Sequence, residues 1–287
     1  MAEEAVVPLD DLDSRPGSTT SLLRTVVGVT LRDQGGWLSS ADLVALMEAV
    51  DSPPSRTRNA LTRVKAGGLL LSENRDGLPG YALAPGAWPM LARGDRRIYQ
   101  PRFMADGDRW CLISFSVPES SREVRHQLRR RLSWIGCGTV AGALWICPAY
   151  LADEVEEIVA DLGLEDRVTL FLVDGVRGVN DLRAAVGKWW DLDVIRALHH
   201  DFLGRAQDAI DDYHTDPTPR TAFRAWITVL DAWRPIPYLD PGLPRSILPE
   251  DWPGARSIPV FLNFRDNALR PAAEFVASTV GGRTHGA

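Results

Sequence analysis

Two glycine pairs, Gly35-Gly36 and Gly67-Gly68, limit the helices that the first third of the chain can form. Apolar side chains recur at helical spacing over residues 21–33, before the first pair. They recur again over residues 40–50 and 52–67, between the first pair and the second. Glycine at these positions ends a helix because it tolerates the left-handed conformation that follows the last turn. The sequence therefore predicts three short helices, of which the last two are joined by a tight turn.

A β-hairpin is predicted directly after the third helix. Residues 69–71 and 81–83 are apolar, and the turn-rich segment Asn74-Arg75-Asp76-Gly77 lies between them. Three helices followed by a hairpin is the element order of a winged helix-turn-helix domain. We assign this domain to residues 21–84, preceded by a disordered acidic tail over 1–20.

The third helix separates an apolar face from a basic one. At 100° per residue, Thr57, Ala60, Leu61 and Val64 point in one direction and are predicted to face the core. No acidic residue lies between Ser52 and Ser72, and arginine and asparagine are the side chains that read guanine and adenine in the major groove. The alternative is a solvated basic face. The predicted DNA-binding residues are Ser55, Arg56, Arg58, Asn59, Thr62, Arg63 and Lys65 on this helix and Arg75 at the hairpin tip.

The distribution of charge supports this assignment better than the total does. The 287 residues have a formal net charge of −6, which argues against binding nucleic acid over the whole surface. Residues 20–104, however, carry 11 Lys and Arg against 7 Asp and Glu, whereas the rest of the chain is acidic. A basic N-terminal region on an acidic protein indicates a localised interface with double-stranded DNA.

The rest of the chain predicts two further domains, so the expected fold class is α+β. Residues 85–106 are expected to be a linker, and residues 107–181 follow the strand and helix order βαββαβ of a ferredoxin-like domain. Residues 182–280 are apolar at helical period, with a proline-rich interruption, and predict a helical C-terminal domain. Residues 281–287 are expected to be a flexible tail.

A second basic stretch lies on the predicted helix 120–134. Its arginines could pair with an acidic helix near 151–162, or they could meet an anion. We favour the structural pairing, because runs of charge are usually solvated or paired faces.

Catalytic, metal and cofactor motifs are absent from the sequence. His199, His200 and Asp201 are adjacent on a helix, so their side chains diverge and cannot converge on one metal ion. The GxSxG, HExxH, GxxxxGK[ST] and GxGxxG patterns do not occur. We therefore expect a protein that is not an enzyme and needs no cofactor. The three cysteines, Cys111, Cys137 and Cys147, are expected to be buried thiols. No run of 18 apolar residues exists, and the acidic start is the reverse of a secretory leader, so a cytoplasmic location without a membrane partner is expected.

Aromatic side chains are frequent in the predicted helical domain and could line a pocket for an apolar effector. Core packing is the alternative for each of them. The candidate effector-binding residues are Trp190, His199, Phe202, Arg224, Trp226 and Arg234.

Several longer motifs resemble the PaaX family of bacterial repressors over about residues 21–280. They are GGWL (35–38), SRTRNALTRVKAGGLL (55–70), RRIY (96–99), DRWCLISFSVPESSREVRHQLRRRLSWIGCGTVAGALWICP (108–148), WDLD (190–193) and DPGLPRSILPEDWPG (240–254).

The resemblance implies a winged-helix domain, a central ferredoxin-like domain similar to the small CRISPR-associated adaptation endoribonuclease, a helical C-terminal domain and a homodimer. Founding members of the family repress phenylacetate degradation genes and release DNA on binding phenylacetyl-coenzyme A. By the same resemblance, Arg58, Asn59 and Arg63 fall in the DNA-reading helix, and Arg97 and Tyr99 fall in the linker motif.

The sequence departs from the pattern of the family and its relatives at three places. His199 stands where tyrosine is frequent, and Asp231 stands where histidine often precedes the DPxLP segment. Ser114, Phe115 and Ser116 lie at the end of the first predicted strand of the central domain, where the related nucleases place a metal-binding aspartate.

The function expected from the sequence is a ligand-responsive DNA-binding repressor of aromatic acid catabolic genes, released from its operator by an acyl-coenzyme A or a related small molecule. Two alternatives belong to other classes. One is an RNA-binding or adaptor protein that uses the ferredoxin-like domain, and the other is a thioester hydrolase. Preference for single-stranded RNA, or turnover of a thioester, would distinguish them from the repressor.

Overall fold

The computed structural model describes residues 14–281 and divides the chain into two compact units. Unit 1 combines the chain up to Tyr99 with residues 200–235 and the chain from Arg256 onward. Unit 2 combines residues 100–199 with 236–255. The predicted helical domain, 182–280, thus contributes to both units, and the three-domain boundaries remain a prediction made along the sequence.

Unit 1 begins with the three predicted helices and the hairpin, and the mixed α+β class is confirmed. A short strand, β1, lies before the second helix and was not predicted; it pairs antiparallel with β3, which pairs with β2, in the order β1-β3-β2. The elements are α1 (Thr19–Thr30), β1 (Trp37–Ser39), α2 (Ser40–Ala49), α3 (Pro54–Ala66), β2 (Leu70–Arg75), β3 (Leu78–Leu83) and α4 (Ala87–Tyr99).

The range of the predicted acidic tail, residues 1–20, overlaps the start of α1. Residues 1–13 lie outside the described residues, as do residues 282–287 of the predicted C-terminal tail. Residues 14–20, by contrast, lead into α1, whose N-cap is Ser18. The Ser18 side chain accepts a hydrogen bond from the Ser21 backbone N–H, and this capping interaction begins the helix two residues earlier than the apolar pattern does.

The remaining helices of unit 1 supply most of its aromatic core. They are the later part of α8 (Leu192–Thr215), α9 (Pro219–Trp233) and most of α11 (Gly254–Gly281). The ring of Phe261 stacks on Trp233 with centroids 4.6 Å apart, and it also stacks on Tyr99 and Trp226. Burial among these rings raises the pKa of the Tyr99 phenol.

Unit 2 contains a four-stranded antiparallel sheet in the order β5-β6-β4-β7, with the βαββαβ element order that the sequence predicts. Cys111 and Cys147 are register partners on neighbouring strands, and both are free and buried, as is Cys137. The hydrogen bond to Cys147, together with burial, raises the pKa of the Cys111 thiol. The predicted buried thiols are confirmed. The elements are β4 (Trp110–Phe115), α5 (Arg122–Trp134), β5 (Gly138–Ala141), β6 (Leu144–Pro148), α6 (Ala152–Asp161) and β7 (Val168–Val173).

Two short helices complete unit 2, α7 (Leu182–Trp189) and α10 (Ile236–Leu239), together with the start of α8. Within residues 14–281, no helix is both long and apolar enough to cross a membrane.

Candidate nucleic-acid interface

Helix α3 separates a buried face from an exposed one as the sequence predicts. Thr57, Ala60, Leu61 and Val64 are buried, with exposed fractions of 2% or less. The helix begins with a proline at its first position and ends at Gly67, followed by Gly68 in the left-handed conformation at φ 77°. The predicted core face is confirmed, and it fixes which side of α3 remains open to a partner.

The opposite face of α3 is exposed at every predicted position. Its cations are not neutralised within the protein: among residues 14–281, no carboxylate lies within 4 Å of Arg56, Arg58 or Arg63. The Lys65 ammonium donates to Ser72 Oγ at 3.4 Å, which leaves its charge uncompensated. The exposed residues are Ser55, Arg56, Arg58, Asn59, Thr62, Arg63 and Lys65.

The hairpin residue Arg75 is exposed but already engaged. Its Nε lies 2.5 Å from Glu73 Oε1, and its guanidinium lies over the ring of Trp37 at 5.5 Å from the centroid. A half-exposed ion pair of this kind is worth at most about 1 kcal/mol, so a phosphate can compete with Glu73 for the arginine. Arg75 is therefore a weaker candidate than the α3 cations.

A cleft of about 720 Å³ lies between the start of α1 and α3, and we call it the α1–α3 cleft. Its lining includes Arg56, Asn59 and Arg63 of the exposed α3 face. The other wall carries Arg15 and Arg24, two arginines that the sequence analysis did not select. Among the described residues 14–281, no acidic side chain belongs to this lining. The remaining lining residues are Ser14, Ser18, Thr19, Thr20, Ala60 and Gly67.

A buried polar network connects α9 to the start of α1, which forms one wall of the cleft. Asp231 Oδ2 accepts from the backbone N–H of Gly17 at 2.7 Å, and its Oδ1 accepts from the hydroxyls of Ser21 at 2.6 Å and Thr25 at 2.8 Å. Arg234 donates to the same two hydroxyls at 2.8 and 3.0 Å. Asp231 is 1% exposed and Arg234 is 5% exposed, so this network is shielded from water.

The candidate effector residues in unit 1 are occupied by packing or ion pairs. Phe202 packs against Trp233, and Trp226 stacks on Tyr99 and Phe261. Arg224 lies 3.5 Å from both Asp51 and Asp212. Arg234 belongs to the Asp231 network.

The two candidates in unit 2 are also engaged. Trp190 donates its indole N–H to the Gly136 carbonyl at 2.8 Å and packs tightly against Gly138, where a Cβ would approach the ring to 2.6 Å. His199 Nε2 lies 2.9 Å from Asp240 Oδ2, and its ring meets Trp252 edge-on. The six residues are therefore divided between the two units, none belongs to the α1–α3 cleft, and their role in effector binding stays a prediction.

The basic helix α5 pairs with its own domain. Arg131 lies 3.2 Å from Asp161 of the acidic helix α6, which confirms the predicted pairing at one position. Arg125 lies 2.7 Å from Glu119, and Arg130 lies over the ring of Trp134. Within residues 14–281, no three His, Cys, Asp or Glu side chains lie close enough together to hold a metal ion.

Comparison with known proteins finds matches along nearly the whole chain. Three family models match: "PaaX-like protein" over residues 18–86, "PaaX protein central Cas2-like domain" over 105–186 and "PaaX-like protein C-terminal domain" over 190–278. The transcriptional repressor PaaX of Escherichia coli (strain K12) is 24% identical over 267 residues, which cover 91% of this chain and 84% of that protein. The structure of the uncharacterized protein Rv0674 from Mycobacterium tuberculosis is similar with a TM-score of 0.55 at 21% identity, covering 91% of this chain and 99% of that one.

Proposed function

The chain belongs to the PaaX-like family, and from that premise we propose that it is a transcriptional repressor that binds double-stranded DNA through α3. The observation that carries the proposal is the exposed face of α3, where three arginines and a lysine have no neighbouring carboxylate among the described residues. An uncompensated cationic helix is stabilised by phosphate, and its arginine and asparagine side chains suit base edges.

The reading head is a winged helix-turn-helix domain in this proposal. Support comes from the element order of α1, β1, α2, α3 and the β2–β3 hairpin, with β1 as the third strand of the small sheet. Helix α3 then enters the major groove, with Asn59 and Arg63 reading bases and Arg56, Arg58 and Lys65 contacting phosphates mainly. The β2–β3 hairpin carries Arg75 toward the flanking backbone.

We further propose that the protein acts as a homodimer on a palindromic operator and that an acyl-coenzyme A or related aromatic acid thioester releases it. Two reading heads that are held together gain effective concentration on paired half-sites. A releasing effector must bind the form with low DNA affinity more tightly than the DNA-binding form. The role is not enzymatic.

The first experiment is selection of duplexes of about 30 base pairs, roughly three helical turns, from a randomised pool by the full-length chain. We expect enrichment of a palindrome that Arg63→Ala binds more weakly by roughly 1–3 kcal/mol, with a smaller loss on a scrambled duplex. Arg270→Ala is the matched control, because Arg270 is 90% exposed on α11 and its partner among the described residues is Glu274 of the same helix. No enriched sequence, or tighter binding of single-stranded RNA, would contradict the proposal.

The second experiment concerns release. Phenylacetyl-coenzyme A should raise the melting temperature of the free protein and dissociate the selected duplex over the same concentration range. Arg224→Ala should impair release while leaving affinity for the operator unchanged in the absence of ligand. Coenzyme A alone is the control, and stabilisation without release would contradict the effector part of the proposal.

A further inference from the structure

We propose that the α1–α3 cleft seats a backbone phosphate of bound DNA, so that Arg15 and the start of α1 form a second phosphate-binding wall beside the reading helix. This inference rests on the proposed DNA-binding function. It assigns a role to the segment around Arg15, which local composition predicts to be part of an acidic tail. It also assigns a role to the buried carboxylate of Asp231.

The charge of the cleft is the first argument. Four arginines, Arg15, Arg24, Arg56 and Arg63, line one cleft, and no carboxylate of the described residues 14–281 belongs to its lining. Like charges that share a cleft repel one another, and an entering anion relieves that repulsion while gaining charge-assisted hydrogen bonds. The guanidinium group is well suited to phosphate oxygens, which it can bind through two parallel N–H groups.

The backbone at the start of α1 supplies the second argument. Thr19 and Thr20 line the cleft, and among residues 14–281 their backbone N–H groups have no acceptor. They are the first donors of a 12-residue helix, at its positive end. Orphan amides and arginines on one wall present the combination that binds phosphate.

The position of that wall is fixed by α9, and this is the third argument. Asp231 holds the Gly17 N–H and the Ser21 hydroxyl, and Gly17 adopts a φ of 82°. A Cβ at Gly17 would approach Arg205 Nη1 to 2.7 Å, so the backbone of Gly17 passes close to the guanidinium group of Arg205. Asp231 is a positioning residue: it does not line the cleft, but it sets where Arg15 and the first turn of α1 lie.

The direct test uses Arg15→Ala, because Arg15 is exposed and its side chain can be removed without opening the core. The full-length protein is titrated with the selected palindrome and with a scrambled duplex over a range of salt. We expect both affinities to fall by the same factor, roughly three- to tenfold at low salt, and the slope of log K against log salt to decrease by about 0.9. Arg270→Ala should match the wild type.

Several outcomes would overturn the inference. If Arg15→Ala equals Arg270→Ala while Arg63→Ala still weakens the palindrome, the phosphate wall is wrong and the proposed function stands. If Arg15→Ala weakens only the palindrome, the contact is to a base. If Arg63→Ala also binds like the wild type, the proposed function itself fails.

A free phosphate compound is the other possible occupant of the cleft, and sodium pyrophosphate is the probe for it. We expect pyrophosphate to raise the melting temperature of the wild type no more than it raises that of Arg15→Ala. Stabilisation of the wild type alone, with unchanged DNA affinity in Arg15→Ala, would assign the cleft to free phosphate and overturn the inference.

The positioning role of Asp231 is tested by a double-mutant cycle with Asp231→Asn, measured well below the melting temperature of each variant. Asp231→Asn should weaken both duplexes equally, and Arg15→Ala should then have little further effect. Additive losses would show that Asp231 does not act through the Arg15 segment. Because Arg15→Ala alone tests the phosphate wall, the inference stays falsifiable even if Asp231→Asn folds poorly.

Discussion

Helices α3 and α9 are built from similar sequence features and serve opposite purposes. Each has a proline at its first position, each is 13 to 15 residues long, and each carries arginines. On α3 four residues are buried and the cations have no carboxylate partner among the described residues, whereas on α9 ten residues are buried. Two arginines of this region face carboxylates: Arg224 on α9 lies near Asp51 and Asp212, and Arg234, the C-cap of α9, lies near Asp231. An arginine without a neighbouring carboxylate is therefore more readily available to a partner than one that is already paired.

The largest expected effect is on the α9 side of the comparison. Asp231→Ala removes the carboxylate that satisfies Gly17, Ser21 and Thr25 and leaves the Arg234 charge buried without it. We expect the free energy of unfolding to fall by about 3–5 kcal/mol in urea titrations followed by circular dichroism. Asp212→Ala is the control, because the exposed Asp212 on α8 pairs with a half-exposed arginine and should cost about 1 kcal/mol or less.

The next prediction concerns a variant with an acidic residue on α3. This variant should remove the difference between the unpaired cations of α3 and the paired arginines of α9. Thr62 is exposed, and a glutamate there lies four residues after Arg58 on the same helix face. Thr62→Glu should weaken binding of duplex DNA by on the order of 2 kcal/mol, because it repels phosphate and partly neutralises a cation. Electrophoretic mobility shift of the selected duplex measures the loss. Thr62→Gln, which has the same length without the charge, should lose much less; equal losses would contradict the electrostatic reason.

A smaller effect separates phosphate contacts from base contacts within α3. Within the described part of the chain, the hydrogen-bond partner of Lys65 is the exposed Ser72 Oγ at 3.4 Å, so Lys65→Ala leaves no buried group there unsatisfied. We expect equal weakening on every sequence and a decrease in the salt slope of about one unit, measured by fluorescence anisotropy. A loss confined to the palindrome would instead place Lys65 at a base edge.

The smallest expected effect is on stability at the surface of α9. Arg224 is 34% exposed and lies 3.5 Å from Asp51 and Asp212, a distance at which the attraction is weak. Arg224→Ala should change the free energy of unfolding by about 1 kcal/mol or less, as measured by urea denaturation. A loss of several kcal/mol would mean that Arg224 is as structural as Arg234, and the contrast between the two helices would then extend along the whole of α9.

Local pattern was sufficient to predict α3, because every residue that decides its two faces lies within a few turns of its neighbours. Thr57, Ala60, Leu61 and Val64 recur at helical spacing, and their burial follows. The three-residue strand β1 was not predicted, since alternation cannot be recognised over Trp37–Ser39. Its partner is β3, whose Ala82 lies opposite Trp37 more than forty residues later.

The sequence did not predict the proposed phosphate wall for the same physical reason. Arg15 follows five acidic residues in the sequence, and its local composition resembles a solvated tail. The carboxylate that holds this segment belongs to Asp231, which no short window of sequence contains together with Gly17. The aromatic and arginine candidates for effector binding had the opposite problem: their helical spacing fits a pocket and a core equally, and only three-dimensional packing separates the two.

The bond between Gly17 and Asp231 spans 214 positions of the chain, and this has a consequence for synthesis on the ribosome. The ribosome synthesises α1 long before Asp231, the residue that anchors the start of this helix. The position of the N-terminal segment is therefore fixed only after α9 has been synthesised. Contacts of such long sequence separation form late, after the intervening chain has been ordered. A nascent or prematurely terminated polypeptide therefore carries the basic third helix without the proposed phosphate wall beside it. If that wall contacts DNA, tight binding requires that the chain has been synthesised beyond Asp231.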